Sequence, residues 1–501
     1  MTDHQQKRHG ISLPHSVFSA EWVRENEKVG ARYHGLSLYQ LMENAGEAAF
    51  GLCRRLYPDA RRWLVLCGHG NNGGDAYVVA RFARQYGMEV TVIGGGPEQR
   101  LPDEAKRARE HWVNNYGQVL SYDGAWPSQC DLIVDGLLGT GVQGEPKEPY
   151  ASLIRAANAS AAPIISLDIP SGLNADTGDA AGDTICARHT LTFVALKSGL
   201  LTGRARDFVG ELHYASLGIS GWLSQQKPQI ERLTAESIAR WLTPRRPCSH
   251  KGEHGRLLVV GGDAGMGGAV RMAGEAALRT GAGLVKVLTR RQHVAPILSA
   301  RPELMAQALD EKSLIEGLTW ANVVAVGPGL GQSPWAQEAL ERISADDKIA
   351  VWDADALNLL AINPNVQARR VITPHPGEAA RLLQCNVESV ESDRIKAACR
   401  LVERFGGVAV LKGAGTVIAD GEGRVAIADV GNAGMASGGM GDLLTGIIAS
   451  LLGQGLTPFD AACAGAVIHG AAGDGIARKQ GQRGTIATDL LSEIPKLVNP
   501  L

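Results

Sequence analysis

No stretch of this chain reaches the roughly 18 consecutive apolar residues that a membrane-spanning helix requires. The opening residues, Met1 to Gly10, lack the apolar run that directs secretion, so the chain is expected to stay in the cytoplasm. There is no long basic run either. Its 50 lysines and arginines face 52 aspartates and glutamates, a net charge of −2, which argues against nucleic acid and anionic membrane as partners. Cysteine is sparse: Cys53, Cys67, Cys130, Cys186, Cys248, Cys385, Cys399 and Cys463 include no Cys-x-x-Cys pair, and most are expected to be reduced core residues.

Glycine is abundant. The 62 glycines exceed the usual share of about 7% and gather in loops rather than in a repeat, the pattern of ligand-contacting turns. With 45% hydrophobic and 20% charged residues the composition is that of a globular protein, and 501 residues imply more than one domain.

The densest cluster is Gly431-Asn432-Ala433-Gly434-Met435-Ala436-Ser437-Gly438-Gly439-Met440-Gly441-Asp442. Small residues let a backbone approach a ligand closely, so that its N–H groups can face an anion. The apolar run Leu443 to Leu452 predicts a helix, which puts the glycines at a helix N-terminus, where free amides and the dipole favour phosphate. Asp442 then stands where it could take a proton from a hydroxyl facing that phosphate. A glycine-rich turn capped by aspartate is the plain alternative, and the length of this run favours a site.

In the first half, residues 16–57 read as helical. From Arg62 the pattern alternates: a strand Trp63 to Cys67, a turn Gly68-His69-Gly70-Asn71-Asn72-Gly73-Gly74-Asp75, a helix Tyr77 to Tyr86 and a strand Glu89 to Ile93. This βαβ unit contains Gly-x-Gly-x-x-Gly, but the acidic residue that a ribose needs at the end of the second strand is missing, so hydride transfer is not expected. Strands Asp131 to Asp135 and Pro163 to Asp168 end in polar loops, and Thr190 to Leu196 and Glu211 to Leu217 supply the last strands. Asp75, Asp135 and Asp168 are expected to converge on one edge of a parallel sheet, although any one of them could be a mere cap.

Asn71-Asn72-Gly73-Gly74-Asp75, Asp135-Gly136-Leu137-Leu138-Gly139-Thr140-Gly141 and Asp168-Ile169-Pro170-Ser171-Gly172 resemble the signatures of NAD(P)H-hydrate epimerases, over a Rossmann-like domain spanning 16–218. The resemblance implies that Asn72, Asp135 and Ser171 hold a potassium ion and that Asp168 is the acid/base. It also implies that Asn71, Asn72, Gly73, Gly74 and Asp75, together with Gly139, Thr140, Gly141, Val142, Gln143, Gly144 and Glu145, bind the hydrated dinucleotide. Oxygen-only ligands suit a hard cation. Ala76 stands where that family has glycine, a change expected to tighten the loop while keeping the carboxylate.

Residues 218–254 break the pattern with paired prolines, Pro228 and then Pro244 and Pro247, around a short helix Ala235 to Leu242, and read as the domain junction. Alternation then restarts. Strands Arg256 to Val260, Leu284 to Leu288, Asn322 to Val326, Ala350 to Trp352, Val371 to Thr373 and Val408 to Leu411 are expected, most of them ending in Gly- or Asp-bearing loops. Each loop has a bland reading: His375 as a turn residue, Lys412 as a solvated charge, Asp353 and Asp355 as helix caps.

Lys251-Gly252-Glu253-His254-Gly255-Arg256, His375-Pro376-Gly377-Glu378, Lys412-Gly413-Ala414-Gly415-Thr416 and Gly438-Gly439-Met440-Gly441-Asp442 resemble, in order, the ribokinase-like superfamily and its NAD(P)H-hydrate dehydratase branch, across 228–498. The expected architecture is therefore α/β in two domains, a Rossmann-like three-layer αβα sandwich followed by a ribokinase-like αβα domain. The resemblance implies that Lys412, Gly413, Ala414, Gly415, Thr416, Asn432, Ala433, Gly434, Ser437, Gly438, Gly439, Met440 and Gly441 bind ADP or ATP. It assigns the hydrate to Ala269, Gly329, His375 and Asp442, and implies magnesium with no assignable ligands and a homo-oligomer. Bacterial-type members use ADP, and the sequence itself does not separate ADP from ATP. The expected activity is repair of hydrated NADH and NADPH, with epimerisation in the first half and nucleotide-dependent dehydration in the second. A small-molecule kinase of the thiazole-kinase type with a dinucleotide-sensing first half is the alternative.

Overall fold

The computed structural model describes residues 13–96 and 101–499; the opening segment, whose polar character bears on secretion, lies outside them. The chain forms two compact units, Met1–Glu231 and Arg232–Leu501.

The first unit is built on a seven-stranded sheet in the order Leu120–Ser121, Glu89–Gly94, Arg62–Cys67, Leu132–Gly136, Ile164–Leu167, His189–Phe193, Glu211–Ala215. Every neighbouring pair is parallel. The central strands are buried on both faces, as an all-parallel sheet requires. Trp63 and Val65 face one core, while Leu64 and Leu66 face the other. From Arg62–Cys67 the chain winds outward to one side and then returns to wind the other way. This leaves a topological switch point between Arg62–Cys67 and Leu132–Gly136, where such sheets bind ligands at their carboxyl ends.

Two expectations are corrected here. Ser16–Phe18 is a strand, paired in parallel with Leu196–Lys197 and antiparallel with Ile230–Glu231, before the helices Ala20–Tyr33 and Leu38–Leu56. More consequentially, Asn71 to Asp75 are not a turn but the opening of the helix Asn71–Gln85. Periodicity alone obscures this because two glycines, Gly73 and Gly74, fall in the first turn of the helix, and the packing explains them. A Cβ on Gly73 would lie 2.2 Å from the Gly68 carbonyl oxygen, so the helix can start against the strand end only if that residue is glycine. Ala76 is fully buried, and its methyl occupies the space that a side chain on Gly136 would need.

The second unit carries a sheet ordered Met305–Ala308, Leu284–Thr289, Arg256–Val260, Val323–Val326, Ile349–Trp352, Arg370–Ile372, Val408–Leu411, Thr416–Asp420, Val425–Ala428. All neighbours are parallel up to Val408–Leu411, and the last two strands are antiparallel additions. The segment expected as a helix from Ala235 is a 3-10 helix, Ala235–Arg240. Helices Gly267–Thr280, Met440–Gly453 and Pro458–Gln480 share the core with this sheet. Gly446 allows the first two of these to cross backbone against backbone, since a Cβ there would lie 2.0 Å from the Ala273 carbonyl oxygen. Gly446→Ala should therefore force the helices apart and cost about 1–3 kcal/mol, read as a lowered thermal midpoint of the second unit.

All eight cysteines are free, but only Cys53, Cys67 and Cys463 are buried and Cys186 and Cys248 are exposed, so most are not core residues. Among the described residues no helix is long and apolar enough to cross a membrane.

Candidate active sites

At the carboxyl edge of the first sheet lies a cavity of about 550 Å³, within the range of small-molecule sites. Asn71, Asn72 and Asp75 line it from the start of their helix, and Gly139, Thr140, Gly141, Val142, Gln143 and Glu145 from the following loop. Gly73, Gly74 and Gly144 are not among its lining residues; Gly73 and Gly74 serve the packing beneath. Arg24 Nη1 donates to the Thr140 carbonyl at 2.7 Å and so ties the helix Ala20–Tyr33 to that loop.

Asp168 lines the cavity from just beyond the strand Ile164–Leu167, with φ at +62°, a left-handed conformation uncommon for a non-glycine residue. Its N–H donates to the Leu191 carbonyl at 2.7 Å. Its Oδ1 accepts from Phe193 N at 3.0 Å, from Thr192 Oγ1 at 3.1 Å and from Lys197 Nζ. All three bonds fall on Oδ1, so Oδ2 is not committed by them. Lys197 is almost wholly buried, its side chain 1% exposed, and was missed in the sequence; a charge closing the apolar run Val194-Ala195-Leu196 was the available signal.

Asp135 does not join Asp75 and Asp168 in the cavity; it lies fully buried below. Its Oδ1 accepts from Ser171 Oγ at 2.6 Å, and its Oδ2 from Ser166 Oγ at 2.7 Å and Ser171 N at 3.0 Å. Burial pushes the Asp135 carboxyl up, and the Ser171 and Ser166 bonds pull the other way. Asn72 Nδ2 donates to the Leu138 carbonyl at 2.9 Å, and Ser171 Oγ accepts from Leu138 N at 2.9 Å. Asn72, Asp135 and Ser171 thus meet around one loop, and among the described residues buried Asn72 Oδ1 has no hydrogen-bond partner.

Two further carboxyls face the cavity. Burial pushes Asp75 well above the usual carboxylate range, with Asp168 and Glu27 adding repulsion. Glu27, from the helix Ala20–Tyr33, is raised to about 7 by burial and then by Asp168. Nothing in the local pattern marks Glu27, which sits among charged residues on an amphipathic helix.

In the second unit the chain again presents its loops at the carboxyl edge. Asp353, just past the strand Ile349–Trp352, is buried and is no helix cap. Its Oδ1 accepts from Lys412 Nζ at 2.7 Å and its Oδ2 from Thr445 Oγ1 at 2.8 Å. Burial works against both charges, yet the pair prevails: Asp353 is held below the usual carboxylate range and Lys412 above the usual lysine range. Glu378 lies 3.8 Å from the same ammonium. A Cβ on Gly441 would come within 3.2 Å of Lys412 Nζ, so the glycine loop closes directly onto this pair.

Gly439, at φ +90°, begins the helix Met440–Gly453, and Asp442 occupies its first turn. Burial raises the Asp442 carboxyl to about 7, with Asp353 and Asp355 adding repulsion and Lys412 opposing it. Ser437, Gly438, Ala433, Gly413 and Ala414 are exposed, and Gly434, Gly439 and Thr416 are half-buried, while Gly415 and Met440 are buried. Asn432 Oδ1 accepts from Gly434 N, and its Nδ2 donates to Asp474, whose other oxygen takes Gly431 N; Asp474 was not foreseen. Gly329 and Ala269 adjoin, a Cβ on the former falling 3.1 Å from that of the latter. His375 is exposed and caps the helix Pro376–Leu383, accepting from Gly377 N while its own N–H donates to Glu378.

Two family descriptions match the sequence: "YjeF-related protein N-terminus" over residues 38–199 and "NAD(P)H-hydrate dehydratase" over 257–496. The bifunctional NAD(P)H-hydrate repair enzyme of Escherichia coli is 58% identical over 500 residues, covering 100% of this chain and 97% of that protein. The chain belongs to the bifunctional NAD(P)H-hydrate repair enzyme family. The counterparts of Leishmania braziliensis and Vibrio cholerae are 45% and 44% identical, covering 96% and 98% of this chain and 93% and 99% of theirs. A ribokinase-like superfamily protein from Enterococcus faecalis superposes with a TM-score of 0.50 at 30% identity, covering 55% of this chain and 96% of its own. In this family, then, the first unit is the epimerase-type half and the second the ribokinase-like dehydratase half.

Proposed function

We propose that this protein repairs hydrated NADH and NADPH, interconverting their R and S forms in the first unit and dehydrating the S form in the second with ADP or ATP. The observation that carries the reading is Asp442, partly buried at the first turn of a glycine-opened helix, with its carboxyl poised near neutrality beside Lys412. The hydrate bears a hydroxyl on the ring carbon next to nitrogen. Hydroxide leaves poorly and phosphate leaves well, so transfer of a phosphoryl group to that oxygen prepares the elimination. Asp442 takes the hydroxyl proton, and the amides of Gly438 to Gly441 receive the charge of the moving phosphoryl. The ring nitrogen then expels phosphate, and loss of a ring proton restores the dihydronicotinamide. With ADP as donor the products are AMP and phosphate.

The remaining assignments follow the same reading. Lys412 to Thr416 and Asn432 to Gly441 hold the nucleotide, and Ala269, Gly329 and His375 hold the hydrate. In the first unit Asp168 is the acid/base, and the Asn71–Asp75 segment and the 139–145 loop hold the dinucleotide. The unpartnered Asn72 Oδ1, with the Asp135 carboxylate and the Ser171 hydroxyl, fits a potassium ion, and these three residues would hold it. Such an ion would supply fixed positive charge beneath the cavity. Magnesium would travel with the nucleotide's phosphates, and no residue is assigned to it. Eight free thiols accord with a cytoplasmic setting.

Racemic hydrate mixed with the protein and ADP or ATP should regain the full absorbance of the reduced nicotinamide. Full recovery without any nucleotide contradicts the phosphorylation step. A stable phosphorylated product, which the kinase alternative requires, contradicts the elimination.

A further inference from the structure

Epimerisation at the hydroxyl-bearing carbon requires chemistry on both faces of the ring. The C–O bond breaks as the ring nitrogen's electron pair forms a C=N⁺ bond, and the departing oxygen takes a proton and leaves as water. A water then adds to the other face and gives up a proton. Water in balances water out, no oxidant or reductant is consumed, and the proton lent by one group is returned through the other. One carboxyl cannot serve both faces at once, and Asp168 is already bound through Oδ1 to Phe193 N, Thr192 and Lys197.

The cavity offers a second group on a different wall. Asp168 rises from the sheet edge, whereas Glu27 enters from the helix Ala20–Tyr33, and both line the same space. Among the described residues Glu27 has no hydrogen-bond or ion-pair partner, unlike Asp168. The helix that carries it is fixed in place: Arg24, one turn away, holds the 139–145 loop, and Ala20 N donates to Asp176 Oδ1 at 2.5 Å.

We propose that Glu27 is the second proton-transfer residue of the first site, giving its proton to the departing hydroxyl while Asp168 receives one from the water that adds opposite. In the reverse direction the roles exchange. The proposal rests on the epimerase reading of this unit. The groups that face Glu27 are Asp168, Lys197, Glu104 from the helix Asp103–Asn114, and Arg24 on its own helix, and Asp75 lies in the same cavity. Burial and then Asp168 keep the Glu27 carboxyl protonated up to about pH 7, with Lys197 and Arg24 pulling the other way. The surrounding carboxyls also suit the cation that forms on the ring as water departs.

The test is interconversion of the separated R and S forms by the full chain without nucleotide, across pH. The wild-type rate should fall as pH rises through about 7, where the acid form of Glu27 is lost. Glu27→Gln should lower kcat by about 10²-fold or more with little change in KM and remove that limb of the profile, whereas Glu27→Asp should retain both the limb and part of the rate. The melting temperature of Glu27→Gln should be unchanged or higher, because a raised carboxyl is removed; a merely structural Glu27 would lower it. A wild-type rate in Glu27→Gln, or an intact limb, overturns the proposal. If Asp168→Asn is inactive while Glu27→Gln is active, the epimerase reading survives without Glu27. If the wild type does not interconvert the forms, the epimerase reading itself fails. Should both Glu27 variants misfold, a wild-type profile that is flat or rising through pH 7 still overturns the assignment.

Discussion

Asp442→Asn should abolish nucleotide-dependent recovery of both hydrate forms, lowering the rate by about 10²–10⁴-fold, the usual worth of a positioned base. Asparagine keeps the shape and the helix start but cannot accept the hydroxyl proton. Binding of nucleotide, which the proposal places at the glycine loop and Lys412, should change little, so the loss falls on kcat. The pH dependence has a definite sign. With the carboxyl raised to about 7, its base form is depleted below that point, and the wild-type dehydration rate should fall tenfold per unit of pH below it. Stability runs the other way. A carboxyl whose folded pKa is raised contributes stability below its unfolded value near about 3.9, and that contribution is lost as pH rises through about 7. Asp442→Asn cannot ionise, so at pH 8 it should melt higher than the wild type while being inactive. A variant that is inactive and less stable would indicate a structural role instead. The pH limb should also vanish with Asp442, and a limb that persists in the variant's residual rate belongs to another group.

Asp168→Asn should leave the S form recoverable at the wild-type rate and slow recovery of the R form to its spontaneous interconversion. The two phases of a racemic time course separate these outcomes in one trace. The substitution keeps an oxygen that Phe193 N and Thr192 can reach but removes the negative charge opposite Lys197, leaving a buried ammonium without its partner. Loss of a buried partner typically costs about 3–5 kcal/mol, so the first unit should also melt lower. Asp168→Asn combined with Lys197→Met removes both charges and should regain much of that stability without regaining the activity. Unchanged interconversion of R and S in Asp168→Asn would refute the acid/base assignment. The two halves should also differ in their pH dependence: epimerisation weakens above about pH 7, where Glu27 loses its proton, and dehydration weakens below it, where Asp442 gains one.

The two sites were legible in the sequence to different degrees, for physical reasons. The parallel strands were visible because a sheet buried on both faces reads as short apolar runs, and the glycine loop before Met440–Gly453 was visible because helix and loop differ sharply in composition. The Asn71–Asp75 helix opening was hidden, since glycines suggest a turn unless one knows that Gly73 packs on Gly68. Asp135 was foreseen as a carboxylate at a strand end, but its distance from the cavity depends on Ser166 and Ser171, which local pattern does not place. Asp353 looked like a cap because caps and ion-pair partners both follow strands; only the contact with Lys412, from a distant strand end, separates them. Lys197 and Glu27 act through the fold rather than through a motif, the first as a buried counter-ion, the second as a side chain on a helix whose neighbours are also charged. Short strands such as Met305–Ala308 and the pair Thr416–Asp420 and Val425–Ala428 went unread because a few residues carry too little periodicity.

The most direct measurement starts from the pure R form of hydrated NADH, incubated with the full chain first without nucleotide and then with ADP added. Before addition, chromatography should show R and S reaching equilibrium with no gain in reduced-nicotinamide absorbance. After addition, the absorbance should rise to the full amount of hydrate supplied, with one AMP formed for each molecule restored. Absorbance that rises before any nucleotide is present, or an R form that stays unconverted until it decays spontaneously, would contradict a two-site repair enzyme.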